Sequence, residues 1–294
     1  MPQAAVDAAP MRGALARLAH LMDILWRRAD IVIGGGLLTA MVLLALVTPY
    51  VIAGDPRALS PGSRLLAPSA EHWFGTDQLG RDLFTRVLYG ARISLFVGFS
   101  VAFLSSLIGT FIGMLSASSR RLDAIVMRVM DGVMSIPAIL LAIALMAVTG
   151  GSVLNVIVAV TIVEVPRVAR LIRGIVLSLR EQPYVEAAVA AGTSRPRIVV
   201  RHLLPGVVAP LIVQATFVWA IAMILEAGLS FIGAGTPPTT PSWGNILADG
   251  KALWQIRPTL IFFPAVFLSV TLLAVNMLGD GLRDLLDPRQ GPSL

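Results

Sequence analysis

Apolar residues gather into six long runs along this 294-residue chain, at about 31–53, 93–115, 133–149, 152–171, 207–228 and 259–279. A helix needs about 20 mostly apolar residues to cross roughly 30 Å of hydrocarbon. The pattern therefore predicts an all-α, polytopic membrane bundle of six transmembrane helices. Polar and helix-breaking residues divide the rest. Residues 1–30 form an N-terminal segment in which Met11, Leu15, Leu18, Met22 and Leu25 repeat at helical spacing between Arg12, Arg17, Asp23 and Arg27. That spacing predicts an amphipathic helix on the membrane surface. Residues 31–92 hold the first span and a long loop, 93–279 hold five spans with a polar insert at 180–206, and 280–294 form a tail. Leu79, Leu83 and Val87 lie four residues apart, and Trp73, Phe74, Phe84 and Tyr89 suit a membrane–water boundary, so 71–92 reads as an interfacial helix. Gly34, Gly35 and Gly36 would permit close helix contact in span 1. Pro137 would kink or loosen the start of span 3. The run after Gly235 reads as an ordered cap with a short re-entrant helix.

Composition agrees with the pattern: 56% of residues are hydrophobic and 14% charged, outside the range of soluble domains. The net charge of +6 raises the question of nucleic acid, and its distribution answers it. With the N-terminus placed in the cytoplasm, the inner segments carry 16 arginines and the outer segments seven lysines and arginines. This positive-inside bias predicts that both termini are cytoplasmic, so the charge reports topology and membrane lipid, with no nucleic acid. No leader-type cleavage pattern occurs in residues 1–30, and the first span reads as a retained anchor. There is no cysteine, which excludes disulfides, thiolate metal sites and cysteine nucleophiles. His20, His72 and His202 are scattered outside the predicted spans, so no metal site is expected.

The insert at 180–206 has a legible local structure. Pro183 suits the first turn of a helix, and Tyr184 to Ala191 can continue it. Gly192 stands where a helix ends in a left-handed residue. Thr193 or Ser194 can cap a second short helix with Pro196 in its first turn, ending where Pro205 marks the entry to span 5. Such a helix–glycine–helix knob could equally be a linker without a partner.

The residues Glu186, Ala187, Ala188, Gly192, Leu204 and Pro205 form the pattern E-A-A-x-x-x-G followed by L-P. It resembles the coupling loop of permease subunits of binding-protein-dependent ABC importers. Phe74 to Leu95 (F-G-T-D-Q-x-G-R-D-x-F-x-R-x-x-x-G-A-R-x-S-L) resembles the "C" permease subunits of dipeptide and oligopeptide importers, as do I-L-E-A-G-L-S-F-I-G from Ile224 and the ending G-D-G-L-R-D-x-L-D-P-R from Gly279. His202 fits the peptide-importer variant R-H-x-L-P, whereas Gly206 replaces an asparagine common there. The resemblance covers roughly residues 71–290. It implies a type I ABC importer permease fold in a bacterial inner membrane, paired with a homologous second permease, two cytoplasmic ATPase subunits and an extracytoplasmic substrate-binding protein. It further implies that Tyr184, Glu186, Ala187, Ala188, Gly192, Arg195, His202, Leu204 and Pro205 face an ATPase, and that ATP and Mg belong to the partner subunits, with no cofactor in this chain.

Residues bearing chemistry are few. A P-loop needs G-x-x-x-x-G-K-[ST]; around Lys251, the single lysine, Asn245 replaces the first glycine and Ala252 the hydroxyl residue. Gly228-Leu229-Ser230 resembles the serine site of an intramembrane protease, but no histidine follows His202 to act as base. The chain is therefore expected not to be an enzyme. Two readings compete: an ABC permease for another small solute, such as a nickel chelate or glutathione, and an ion-gradient-driven transporter, which would mark its pathway with buried charges. Glu164 lies one turn from Arg167, which would pair with it. Glu226, with Gln214 and Asn276, is a candidate for the pathway or a subunit interface. Arg167, Arg170 and Arg173 form a cationic face at the cytoplasmic boundary, suited to lipid phosphates, the ATPase or the second permease.

Overall fold

A computed structural model describes residues 29–52 and 54–286. The expected amphipathic helix at 11–28 and the last residues of the tail lie outside these. Among the described residues every regular element is helical, and the sole extended pairing is an isolated bridge between Thr76 and Asp82. We number the helices α1 (Ala29–Val51), α2 (Leu83–Ser116), α3 (Arg120–Met134), α4 (Ala138–Thr149), α5 (Val153–Arg180), α6 (Pro183–Ala190), α7 (Arg195–Ile198), α8 (Leu204–Phe231), α9 (Trp243–Gly250) and α10 (Thr259–Leu286). A π-helical turn, Val199–Leu203, joins α7 to α8.

The run predictions and the helices differ in three places. Residues 71–82 are not helical. Gly75 and Gly80 take positive φ of 81° and 78°, and the Asp77 carboxylate accepts the backbone N–H groups of Leu79 at 2.8 Å and Arg81 at 3.0 Å. An aspartate that captures nearby N–H groups favours a turn over a helix. The helix begins only after Asp82, whose side chain accepts the Thr85 N–H at 2.8 Å as an N-cap. The third run is not one straight span: it breaks at Ser135-Ile136-Pro137, and α3 and α4 diverge by 89°. Proline disfavours helical geometry in the residue before it, which is enough to end α3. Finally, Pro205 does not interrupt the chain, because α7, the π turn and α8 form one run of 37 residues. The wider π turn removes the i−4 register in which a proline ring clashes with a carbonyl.

Four helical runs are long and apolar enough to cross a membrane, and the bent α3–α4 pair would make five. The remaining expected span is the first part of α5, which has 28 residues but carries Glu164, Arg167, Arg170 and Arg173.

Two apolar clusters hold the bundle. One joins α2, α4, α5 and α8 around Val97, Val101, Val160, Val168, Ile172 and Leu229; the other joins α1, α2, α8, α9 and α10 around Leu83, Val87, Met223, Trp243 and Leu260. Small residues set the closest approaches. A Cβ on Gly109 would stand 2.6 Å from Val168 Cβ, and one on Gly113 2.6 Å from the Ala169 carbonyl. These glycines, four apart, let α2 and α5 pack backbone to backbone. Gly34 does the same for α1 against α10, where a Cβ would meet the Leu278 nitrogen at 2.7 Å; Gly36 faces open space.

Candidate functional site

At the end of the bundle reached by α5, the chain turns back through the knob α6–α7. Gln182 and Pro183 start α6, and Gly192 ends it with φ +76°. The Gly192 N–H bonds the Val189 carbonyl at 2.9 Å and the Thr193 N–H bonds the Ala188 carbonyl at 3.1 Å. This bond pair is the Schellman closure that a left-handed glycine makes possible. Ser194 occupies the N-cap of α7, without a side-chain capping bond, and Pro196 lies in the first turn.

The knob is anchored from below and open above. Val185, Ile198 and Leu203 are buried in the main cluster, while Tyr184, Glu186, Ala187, Gly192, Arg195 and Pro205 are exposed and Ala188, His202 and Leu204 half-buried. The Tyr184 and His202 rings stack with centroids 6.5 Å apart, joining α6 to the π turn. A cavity of about 670 Å³ lies between the knob and the ends of α2 and α5, lined by Met114, Val176, Val189 and Ile198 among others. The nine residues singled out in this insert thus share one surface element, with small side chains on its exposed side.

Three of the four arginines of α5, Arg167, Arg170 and Arg173, are each paired with an acid within the chain. Arg167 Nη1 lies 2.9 Å from Glu164 Oε2, and Glu164 is 1% exposed. Arg170 Nη2 is 2.6 Å from Asp131 Oδ1. Arg173 grips Asp123 with both Nε and Nη2, the latter at 2.6 Å. Asp123 and Asp131 belong to α3, so these two pairs fasten the amphipathic α3 to the α5 surface.

At the opposite end, α9 tucks between α2, α8 and α10. The candidate Glu226 is enclosed there by its own chain and fully buried. Its Oε1 accepts the Ser230 hydroxyl at 2.8 Å and its Oε2 the Ser94 hydroxyl at 3.3 Å. Ser230 is 3.1 Å from the Thr236 hydroxyl, which accepts Asn245 Nδ2 at 2.8 Å. Trp243, buried beside them, donates its indole N–H to the Val87 carbonyl at 3.0 Å. The carboxyl therefore stitches α2, α8 and the cap together. Gln214 and Asn276 are both half-buried, apart from this cluster; Gln214 borders a cavity of about 470 Å³ with Phe217 and Arg283.

Sequence reasoning did not single out the roles of Asp77, Arg81, Arg86 and Asp249. Asp77 Oδ2 receives Arg81 Nε at 2.6 Å and Arg86 Nη1 at 2.5 Å, and Asp249 of α9 receives both guanidinium groups at 2.9 and 3.0 Å. Asp77 and Arg86 are each 1% exposed. The available signal was the interleaving of Asp77 with Arg81 and Arg86 next to a long apolar run, since charges that become buried must pair.

Comparison with known proteins places these features in a family. The family described as "Binding-protein-dependent transport system inner membrane component" matches residues 109–291. A Sinorhizobium fredii protein named "Probable peptide ABC transporter permease protein" is 52% identical over 263 residues, covering 90% of each chain. The dipeptide transport system permease protein of Alkalihalophilus pseudofirmus is 41% identical, covering 88% of this chain and 85% of its own. A glutathione transport system permease protein of Escherichia coli is 46% identical over 76% of this chain and 74% of its own. Among solved structures, an inward-facing MetNI methionine ABC transporter chain superposes with a TM-score of 0.61, at 21% identity over 70% of this chain and 98% of that one. The fold is thus that of ABC importer permeases, in a multi-pass membrane protein. This chain belongs to the binding-protein-dependent transport system inner membrane components.

Proposed function

We propose that this chain is one of two membrane subunits of an ATP-driven importer of short peptides, driven through the knob α6–α7. Three named relatives support the substrate class: a peptide permease, a dipeptide permease and one for glutathione, itself a tripeptide. The observation that carries the coupling role is the knob's construction. Three buried apolar side chains tie it to the main cluster while its small-residue face is left open. A push on that face is transmitted to α5 and α8, whose packed surfaces switch between discrete arrangements.

In this reading the knob faces the cytoplasm, as do both termini, and the 54–82 loop with α9 faces outward. Seven arginines in 167–206 support that orientation. ATP and Mg bind on two partner ATPases, a second permease completes the pathway, and an extracytoplasmic binding protein delivers the peptide. Glu186 and Arg195, exposed on the knob, contact the ATPase. Arg170 and Arg173 hold the α3–α5 surface behind it, and Arg167 covers Glu164 within α5.

The test is ATPase activity of the assembled transporter in proteoliposomes with its binding protein. Glu186→Ala and Gly192→Ala should each lower peptide-stimulated hydrolysis severalfold without reducing insertion of the chain. Undiminished stimulation in both variants overturns the coupling role. Peptide accumulation by this chain alone, driven by an ion gradient, overturns the ATP-driven reading altogether.

A further inference from the structure

A cavity of about 1100 Å³ lies between α1 and α2 at the end of the bundle that carries the 54–82 loop. Its walls are apolar: Leu46 and Pro49 of α1, Phe96 and Phe99 of α2, and Trp219 of α8. Arg92 also lines it. Arg92, Phe96 and Phe99 stand at i, i+4 and i+7, on one face of the helix. Arg92 is about 14 Å along α2 from its start, at 1.5 Å per residue, where the apolar run of the second span begins. It is exposed, and its side chain makes no hydrogen bond or ion pair with any described residue.

Among the described arginines at this end of the bundle Arg64 is also without a side-chain partner, but it does not line the cavity; the others are engaged. Arg81 and Arg86 are locked to Asp77 and Asp249. Arg257 donates to the Leu65 carbonyl at 2.6 Å, and Arg57, on the cavity rim, donates Nε to the Thr239 carbonyl at 3.1 Å. Asp55 also lines the cavity; one of its oxygens accepts the Arg57 backbone N–H at 2.9 Å, and the other has no described partner. The cavity therefore presents a free guanidinium, a half-free carboxylate and an aromatic wall.

A guanidinium offers a planar fork that matches a carboxylate in bidentate fashion, and beside apolar walls the attraction is screened less than in water. A solute that satisfies all three features carries an anion, a cation and apolar bulk in one molecule. We infer that this cavity is a peptide-binding station on the import path, in which Arg92 receives the C-terminal carboxylate, Asp55 faces the ammonium end, and Phe96 and Phe99 carry the side chains. The cavity volume lies slightly above the range of ordinary small-molecule sites, which suits a peptide of a few residues. The inference rests on the peptide-import reading above.

The chain's lack of cysteine makes the test direct. In the assembled transporter with cysteine-free partners, Leu46→Cys reports on the cavity through its rate of modification by a small thiol reagent. Trialanine should slow that rate at least threefold and trialanine amide should not. Arg92→Gln should abolish the protection and raise the apparent KM for trialanine uptake about tenfold, with Arg92→Lys restoring part of both. Uptake of trialanine without any protection of the introduced thiol, or with an unchanged KM in Arg92→Gln, overturns the station while leaving peptide import standing. A thiol unreactive with or without peptide means the second permease fills the cavity, and that overturns it too. Reactivity that follows anionic lipid content rather than peptide assigns Arg92 to a lipid phosphate and has the same consequence. A transporter that takes up no peptide from a panel of di- and tripeptides defeats the peptide-import reading itself.

Discussion

Arg81 Nη2 and Asp249 Oδ2 meet at 2.9 Å although 168 residues separate them. The contact closes a four-membered ionic cluster that ties the 54–82 loop, the start of α2 and the cap helix α9 into one body. Two arginines face two aspartates, so the cluster is neutral overall. Asp77 is its centre, because its Oδ2 takes both guanidinium groups while its Oδ1 holds the turn that precedes α2.

Removing that centre should be costly. Asp77→Ala leaves the buried Arg86 with Asp249 alone and frees two backbone N–H groups. Breaking a buried pair by deleting one partner costs about 3–5 kcal/mol. Asp249 is 23% exposed, so Asp249→Ala should cost less, about 1–2 kcal/mol after solvent screening. Thermal unfolding of the purified subunit should show the order wild type, Asp249→Ala, Asp77→Ala, with the last lowered by roughly 5–10 °C. Equal losses in both variants would show that Asp77 is not the centre.

Glu226 offers a separate test of the cap. Glu226→Ala strands the Ser94 and Ser230 hydroxyls and leaves a void, a combination worth about 2–4 kcal/mol. Glu226→Gln keeps an acceptor oxygen of the same reach and should cost about half as much. Peptide uptake per correctly folded transporter should be nearly unchanged in Glu226→Gln, as expected for a group enclosed by its own chain. A selective loss of uptake with wild-type thermal stability would return Glu226 to the pathway.

Much of this arrangement was written in local patterns. Apolar runs gave the long helices, Gly192 ended α6, Pro183 began it, and the pairing of Glu164 with Arg167 followed from their spacing. Each of these depends on residues within a turn or two of one another. The failures have the opposite character. Leu79, Leu83 and Val87 repeat as a helix would, yet only the latter two lie in one, because Asp77 and two left-handed glycines claim the preceding backbone. The enclosure of Glu226, a candidate for the pathway or a subunit interface, depends on α9 folding back over it. Pro205 looked like a break, and a π turn absorbed it. The insert at 180–206 was legible as a shape, and the expectation that it meets an ATPase came from family resemblance, since helix–glycine–helix geometry alone does not specify a partner.

The α5 arginines should separate by burial. Arg170 and Asp131 are both at least half exposed, and such pairs are worth about 0–1 kcal/mol. Arg170→Ala should therefore leave thermal stability nearly unchanged. Arg167→Ala uncovers the buried Glu164. Because Arg167 is itself 44% exposed, the cost should be about 2 kcal/mol, below that of a fully buried pair. Glu164→Gln in the Arg167→Ala background should recover part of the loss, since it removes the unpaired charge. No recovery in the double variant would mean that Arg167 contributes through packing alone.

Three glycine-to-alanine substitutions test whether α2 and α5 owe their contact to missing side chains. At Gly113 a new Cβ would collide with the Ala169 carbonyl at 2.6 Å, and at Gly109 with Val168 Cβ at 2.6 Å. Neither neighbour is the free end of a flexible side chain, so the helices must separate, at a cost of about 1–3 kcal/mol each. Gly174 is on α5 as well, but a Cβ there meets nothing within 4 Å. Gly174→Ala should instead stabilise the subunit by about 0.5–1 kcal/mol, because alanine loses less backbone entropy in a helix. Thermal melts of the purified subunit should thus move down for Gly109→Ala and Gly113→Ala and up for Gly174→Ala. An upward shift in all three would show that glycine acts here through helix propensity, and the close approach of α2 to α5 would not be what holds them together.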